Sequence, residues 1–112
     1  MVGNRITRCF RYGLVMNLAA PPRNPTISIV GGVNVYSFDE DRPLYGPYSS
    51  EKECWNAMLE NAKRELRIDT EENGWECEFE TVPECGRITL TDHINGHNDV
   101  TNWYTIEIPD NT

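Results

Sequence analysis

The stretch SSEKECWNAMLENAKRELRIDTEENGWECEFETV, residues 49–82, changes its hydrophobic period halfway along, and that change decides the fold. In its first half Trp55, Met58, Leu59, Ala62 and Leu66 recur at the i, i+3, i+4, i+7 spacing of one helical face, with Cys54 beside them. Ser50 followed by Glu53 is a capping-box pattern, which starts a helix by satisfying backbone donors that lack an intrahelical acceptor. Glu60 and Arg64, four apart in the favourable order, add about 0.2 to 0.5 kcal/mol on the exposed side. The stripe of tryptophan, methionine and leucine is read as core.

After Asn73-Gly74 the period falls to two. Trp75, Cys77 and Phe79 face one way while Glu76, Glu78 and Glu80 face the other, as in a strand of an antiparallel sheet with one solvated face. Val82-Pro83 ends that strand. Residues 87–94, RITLTDHI, repeat the alternation with Ile88, Leu90 and Ile94, and Asn95-Gly96 is a hairpin signal. Residues 101–109, TNWYTIEIP, place Tyr104, Ile106 and Ile108 on one side and Trp103, Thr105 and Glu107 on the other.

Upstream, TISIVGGVNVYSF (residues 26–38) is rich in β-branched and aromatic residues and reads as strand, with Gly31-Gly32 either a two-residue hairpin turn or a bulge. DEDRPLYGPY (39–48) reads as an irregular loop. AAPPRNP (19–25) reads as a linker, because its three prolines remove backbone donors and extend the preceding residues. ITRCFRYGLVMNL (6–18) fits a strand with Cys9, Arg11 and Gly13 on one face only weakly, since its period is mixed. The expected fold is α+β: one amphipathic helix packed on an antiparallel sheet of about four to five strands, which buries both apolar surfaces at once. A length of 112 residues with 38% hydrophobic residues suits a single domain, 1–112, with one modest core.

No apolar run reaches the roughly 18 to 20 residues needed to span a membrane. Arg5, Arg8 and Arg11 precede an apolar patch, but Asn17 interrupts it and Pro21 and Pro22 sit where a signal would be cleaved. A cytoplasmic protein with reduced, packed cysteines at 9, 54, 77 and 85 is therefore expected. Translation from Met16 instead of Met1 would remove the three clustered arginines.

Charge is divided unevenly. Residues 1–26 carry Arg5, Arg8, Arg11 and Arg23 with no acid, whereas residues 27–112 carry 18 acids against six bases, a net of -12. This predicts a basic N-terminal arm (1–25) and an acidic body (26–112), with docking of one copy's arm onto another's acid as a route to a homodimer. The body would repel phosphates, so direct binding of nucleic acid is not expected.

Motifs for chemistry are sparse. Cys77, Cys85, His93 and His97 are zinc-type ligands, yet the wide spacing of the two cysteines requires them to meet across a hairpin rather than within one tight turn. The segment DHINGHND (92–99) offers a His/Asp acid-base pair or a hydrolytic metal site, against its reading as a polar hairpin loop. Gly31-Gly32 lacks both the later glycine of a dinucleotide fingerprint and the lysine of a P-loop. No catalytic residue, metal ligand or cofactor is assigned, and an enzyme is not expected. A small metal protein or hydrolase built on the Cys/His set is the alternative, and an oligomerising structural protein is the third reading.

The informative feature is the glutamate ladder. Alternate residues of a strand stand roughly 6.7 Å apart, so Glu76, Glu78 and Glu80 repeat charge at a spacing of the order of successive phosphates. With Glu84 nearby and Asp39, Glu40 and Asp41 in the loop, they form the expected partner-binding surface, with Trp103 and Tyr45 read either as apolar anchors beside it or as core. A compact, acidic α+β chain with this glutamate run resembles the small anti-defence proteins of phages and mobile elements, those of the anti-CRISPR type in particular. That resemblance implies a non-enzymatic inhibitor whose acidic face occupies the basic groove of a nucleic-acid-binding protein or nuclease complex.

Overall fold

A computed structural model describes residues 7–16, 26–30, 33–39 and 42–110, with side-chain surroundings for residues 9–16 and 44–108. The α-helix among the described residues, α1 (Glu51–Arg67), begins where the sequence places it. The Ser50 hydroxyl accepts the Glu53 backbone N–H at 3.1 Å. The Glu53 carboxylate reaches back one residue further than a capping box, accepting the Ser49 hydroxyl at 2.6 Å and the Ser49 N–H at 3.2 Å. Past Arg67 the chain widens into a π-helical turn, Ile68–Glu72, closed by the Asn73 N–H on the Ile68 carbonyl at 3.0 Å.

The strands are β1 (Thr7–Met16), β2 (Thr26–Val30), β3 (Val33–Asp39), β4 (Arg42–Pro43), β5 (Tyr45–Tyr48), β6 (Glu76–Val82), β7 (Arg87–Ile94) and β8 (His97–Asp110). Five of them form an antiparallel sheet in the order β5-β1-β8-β7-β6, and α1 packs across one face, so the α+β expectation holds. β2, β3 and β4 form a second, three-stranded sheet beside β1. β2 and β3 pair antiparallel with Val30 opposite Val33, so they are two paired strands; Gly31 and Gly32 lie outside the described residues.

The main core lies between helix and sheet. Cys54, Met58 and Ala62 of α1 meet Leu14 of β1, Ile88 and Leu90 of β7 and Trp103 of β8, all buried. Each large apolar side chain removed from water in this way contributes about 1.5 to 3 kcal/mol. A smaller cluster of Val15, Ile108 and Leu44 occupies the opposite face of the sheet, with Tyr104 and Ile106 packed against it.

Two expectations change, and one alternative is decided. The basic N-terminal segment is not a separate arm over residues 7–16: β1 sits inside the sheet, hydrogen-bonded to β5 and β8. The segment read as an irregular loop contains β4 and the edge strand β5, where Pro47 is tolerated because an edge leaves one row of backbone groups unpaired. Of the two readings of Trp103 the core one holds: it is fully buried under α1, and its indole N–H donates to Asn61 Oδ1 at 3.0 Å.

Candidate functional site

β6 is an edge strand, and its alternation is the one the sequence predicts: Glu76, Glu78 and Glu80 are exposed while Cys77 and Phe79 are half-buried against the helix side. Two ladder carboxylates have diagonal cross-strand partners on β7. Glu78 Oε2 lies 2.8 Å from His93 Nε2, and Glu80 Oε1 accepts from Arg87 Nη2 at 3.0 Å. These carboxylates remain 74% and 66% exposed, so water and salt screen the pairs and the outer face keeps its acidic character. A shallow depression of about 410 Å³ beside the ladder is bordered by Glu78, Phe79, Glu80, Thr89 and Thr91.

Other acids extend the same edge. Glu84 is exposed in the 3-10 turn Pro83–Cys85 that follows β6, and Glu71 and Glu72 are exposed in the π-helical turn that precedes it. Asp39 ends β3 in the second sheet, while Glu40 and Asp41 lie outside the described residues. Tyr45 is 41% exposed but sits on β5, at the opposite edge of the sheet from the ladder. It stacks on Tyr12 with ring centroids 5.0 Å apart, so it is not an anchor beside the acidic strand.

Cys77, Cys85, His93 and His97 do not converge. Cys85 is exposed in the turn before β7, whereas His93 and His97 flank the turn after it, the length of an eight-residue strand away, roughly 25 Å. Cys77 points to the helix side and His93 to the outer face, where His93 Nδ1 meets Asn98 Oδ1 at 2.6 Å. The DHINGHND segment is a hairpin tip: Asn95 and Gly96 both take positive φ, 47° and 87°, which suits a two-residue turn between β7 and β8. All four cysteines are free thiols.

A different cluster forms beneath the ladder. Asp69 from the π-helical turn, Cys77 from β6 and Asp92 from β7 bring one ligand atom each to within 4.8 Å of one another. Asp69 is 2% exposed and Asp92 6%. The Cys77 thiol donates to Asp92 Oδ1 at 3.0 Å, and Asn73 Nδ2 donates to Asp69 Oδ1 at 3.4 Å, while Asp69 Oδ2 is buried without a hydrogen-bond partner. Burial, followed by its interaction with Asp92, pushes the Asp69 carboxyl up to about 7; burial and then Asp92 push the Cys77 thiol up to about 12.

The sequence carried a signal for this cluster. Asp92 shares the phase of Ile88 and Leu90 along β7, and Asp69 stands seven residues after the buried Ala62, so both acids occupy core-facing positions. An acid at an apolar phase is the pattern that finds it. No family model, curated protein or solved structure shows significant similarity to the chain.

Proposed function

We propose that this protein is a non-enzymatic inhibitor that lays the acidic outer face of β6 and β7 into the basic groove of a cytoplasmic nucleic-acid-binding protein or nuclease complex, in the manner of anti-CRISPR-type proteins. The observation that carries this reading is the row of Glu76, Glu78 and Glu80 on an edge strand, exposed and backed by a packed sheet and helix. A strand fixed by its β7 partner sets the backbone spacing of the three glutamates before binding, so association orders their side chains but not the strand that carries them. Glu71, Glu72 and Glu84 add charge along that edge and would speed encounter with a basic surface.

The alternative role for such a face is simple solvation of an exposed sheet and protection of its edge from pairing. The two are separated by reversing the ladder, Glu76→Lys, Glu78→Lys and Glu80→Lys together, with Glu60→Lys on the helix as the control. Tagged protein is used to capture partners from bacterial lysate at low and high salt, and the captured partner is then tested for binding to its own nucleic acid. The inhibitor reading expects capture that weakens with salt, competition with the nucleic acid, and loss of both in the ladder variant only. Equal capture and competition by the folded ladder variant would remove the ladder from the mechanism.

A further inference from the structure

The Asp69, Cys77 and Asp92 cluster poses a charge problem that the acidic outer face does not share, because these groups are on the buried side of the sheet. Two aspartates and a thiol converge there. The other charged group acting on Asp69 is Glu65, also an acid, and the thiol is acted on by Asp92 and Asp69. Buried charges are normally paired or bound to metal. Here Asp69 Oδ1 accepts from Asn73 and Oδ2 is buried with no hydrogen-bond donor, while the neighbouring side chain acting on the carboxyl is a second acid, Asp92.

We propose that Asp69, Cys77 and Asp92 hold a divalent zinc-class cation that fastens the end of the helical segment to the edge of the sheet. Zinc bonds thiolate sulfur at ~2.3 Å and carboxylate oxygen at ~2.0 to 2.2 Å, so tetrahedral geometry sets its donors about 3.4 to 3.6 Å apart. The three donor atoms already lie within 4.8 Å, with Cys77 Sγ and Asp92 Oδ1 at 3.0 Å, so shifts of a fraction of an ångström to about one ångström complete the triad. The thiol selects against calcium and magnesium, which take oxygen donors and more of them. Binding exchanges the Cys77 thiol proton, and any proton held by the carboxyls, for the cation; the protons leave to solvent.

The site is independent of the proposed inhibitory role. It draws on three elements: the π-helical turn supplies Asp69, and the paired strands β6 and β7 supply Cys77 and Asp92 directly opposite each other. Occupancy would therefore brace β6 from behind.

The test uses the full chain, stripped with chelator, kept reduced with a phosphine and titrated with Co²⁺ as the probe. One equivalent of Co²⁺ should give a thiolate-to-metal charge-transfer band that Zn²⁺ then displaces, together with slower amide exchange along β6. Cys77→Ser should lose the band, while Cys85→Ser, at the exposed thiol, should keep it. Asp69→Asn and Asp92→Asn should each weaken Zn²⁺ binding at least tenfold and raise the melting temperature of the metal-free protein; they also serve if Cys77→Ser does not fold. Folded wild-type protein that takes up no Co²⁺, a band that survives Cys77→Ser, or Zn²⁺ affinity unchanged in Asp69→Asn would overturn the site. Those outcomes would assign the cluster to a proton shared between the two aspartates.

Discussion

The indole N–H of Trp103 donates to the side-chain oxygen of Asn61 at 3.0 Å, joining the middle of β8 to the middle of α1. Trp103 is completely buried, so this bond satisfies a donor that has no access to water. Asn61→Ala should therefore destabilise the protein by about 1 to 3 kcal/mol, the cost of an unpaired buried donor. Asn61→Asp keeps an acceptor in place and should cost less. Urea denaturation followed by tryptophan fluorescence checks both, and equal stability of Asn61→Ala and wild type would show that the helix does not depend on this link.

His93 provides a pH prediction on the outer face. It faces Glu78 and Glu76 of β6 and Asn98 of β8, and its hydrogen bonds to Glu78 and then Asn98 raise its pKa above the ordinary 6.5. A raised folded-state value means that the stabilisation is complete below the unfolded pKa and is lost as pH rises through the folded one. The ring should titrate above its ordinary value in an NMR titration, and Glu78→Gln should bring it back down. A midpoint unaffected by Glu78→Gln would mean that the pair is not formed in solution.

Helix α1 and strand β6 are legible because each has one apolar face, so their periods of 3.6 and 2 survive in the sequence. β1 and β8 are harder to read because both of their faces are apolar along part of their length. Tyr12 and Leu14 enter the main core while Cys9 and Val15 are buried from the other side, which erases alternation in β1. The grouping of Tyr104, Ile106 and Ile108 against Trp103 and Thr105 is correct for β8, yet hydrophobicity alone points the wrong side at the helix. It is the lone Trp103 that lies under α1, while the three-residue row joins the smaller cluster. The acidic ladder follows directly from alternation. The apolar phase of Asp69 and Asp92 marks each as a buried acid, but their meeting with Cys77 depends on a helix end reaching two strands, a tertiary relation that spacing along the chain does not encode.

Gly86 marks a close approach between the turn after β6 and strand β8. It has φ of 61°, and its carbonyl accepts the Thr105 N–H at 2.9 Å. An added Cβ would collide with Thr105 Oγ1. Gly86→Ala should cost about 1 to 2 kcal/mol for the left-handed backbone, plus the steric term. In a Thr105→Ala background the collision is absent, so the same substitution should cost only the backbone strain. A double-mutant cycle by chemical denaturation reads the difference, and strict additivity would place the two groups further apart than the structure does.

The four free thiols should react in an order set by burial. Cys85 is exposed in its turn, Cys77 is half-buried and engaged with Asp92, and Cys9 and Cys54 are buried. Cys54 has no exposed surface, and desolvation, with the nearby Glu51 next, pushes its thiol up to about 12. The thiolate is the reactive form, so at neutral pH Cys54 combines a negligible thiolate fraction with no path for a reagent. Brief treatment of folded, reduced protein with iodoacetamide should label Cys85 first and leave Cys54 untouched until denaturant is added. Peptide mass spectrometry after timed labelling gives the order directly. Early labelling of Cys54 would mean that α1 lifts from the sheet on the timescale of the reaction, and the packing of Met58 and Ala62 beside it would then have to open as well.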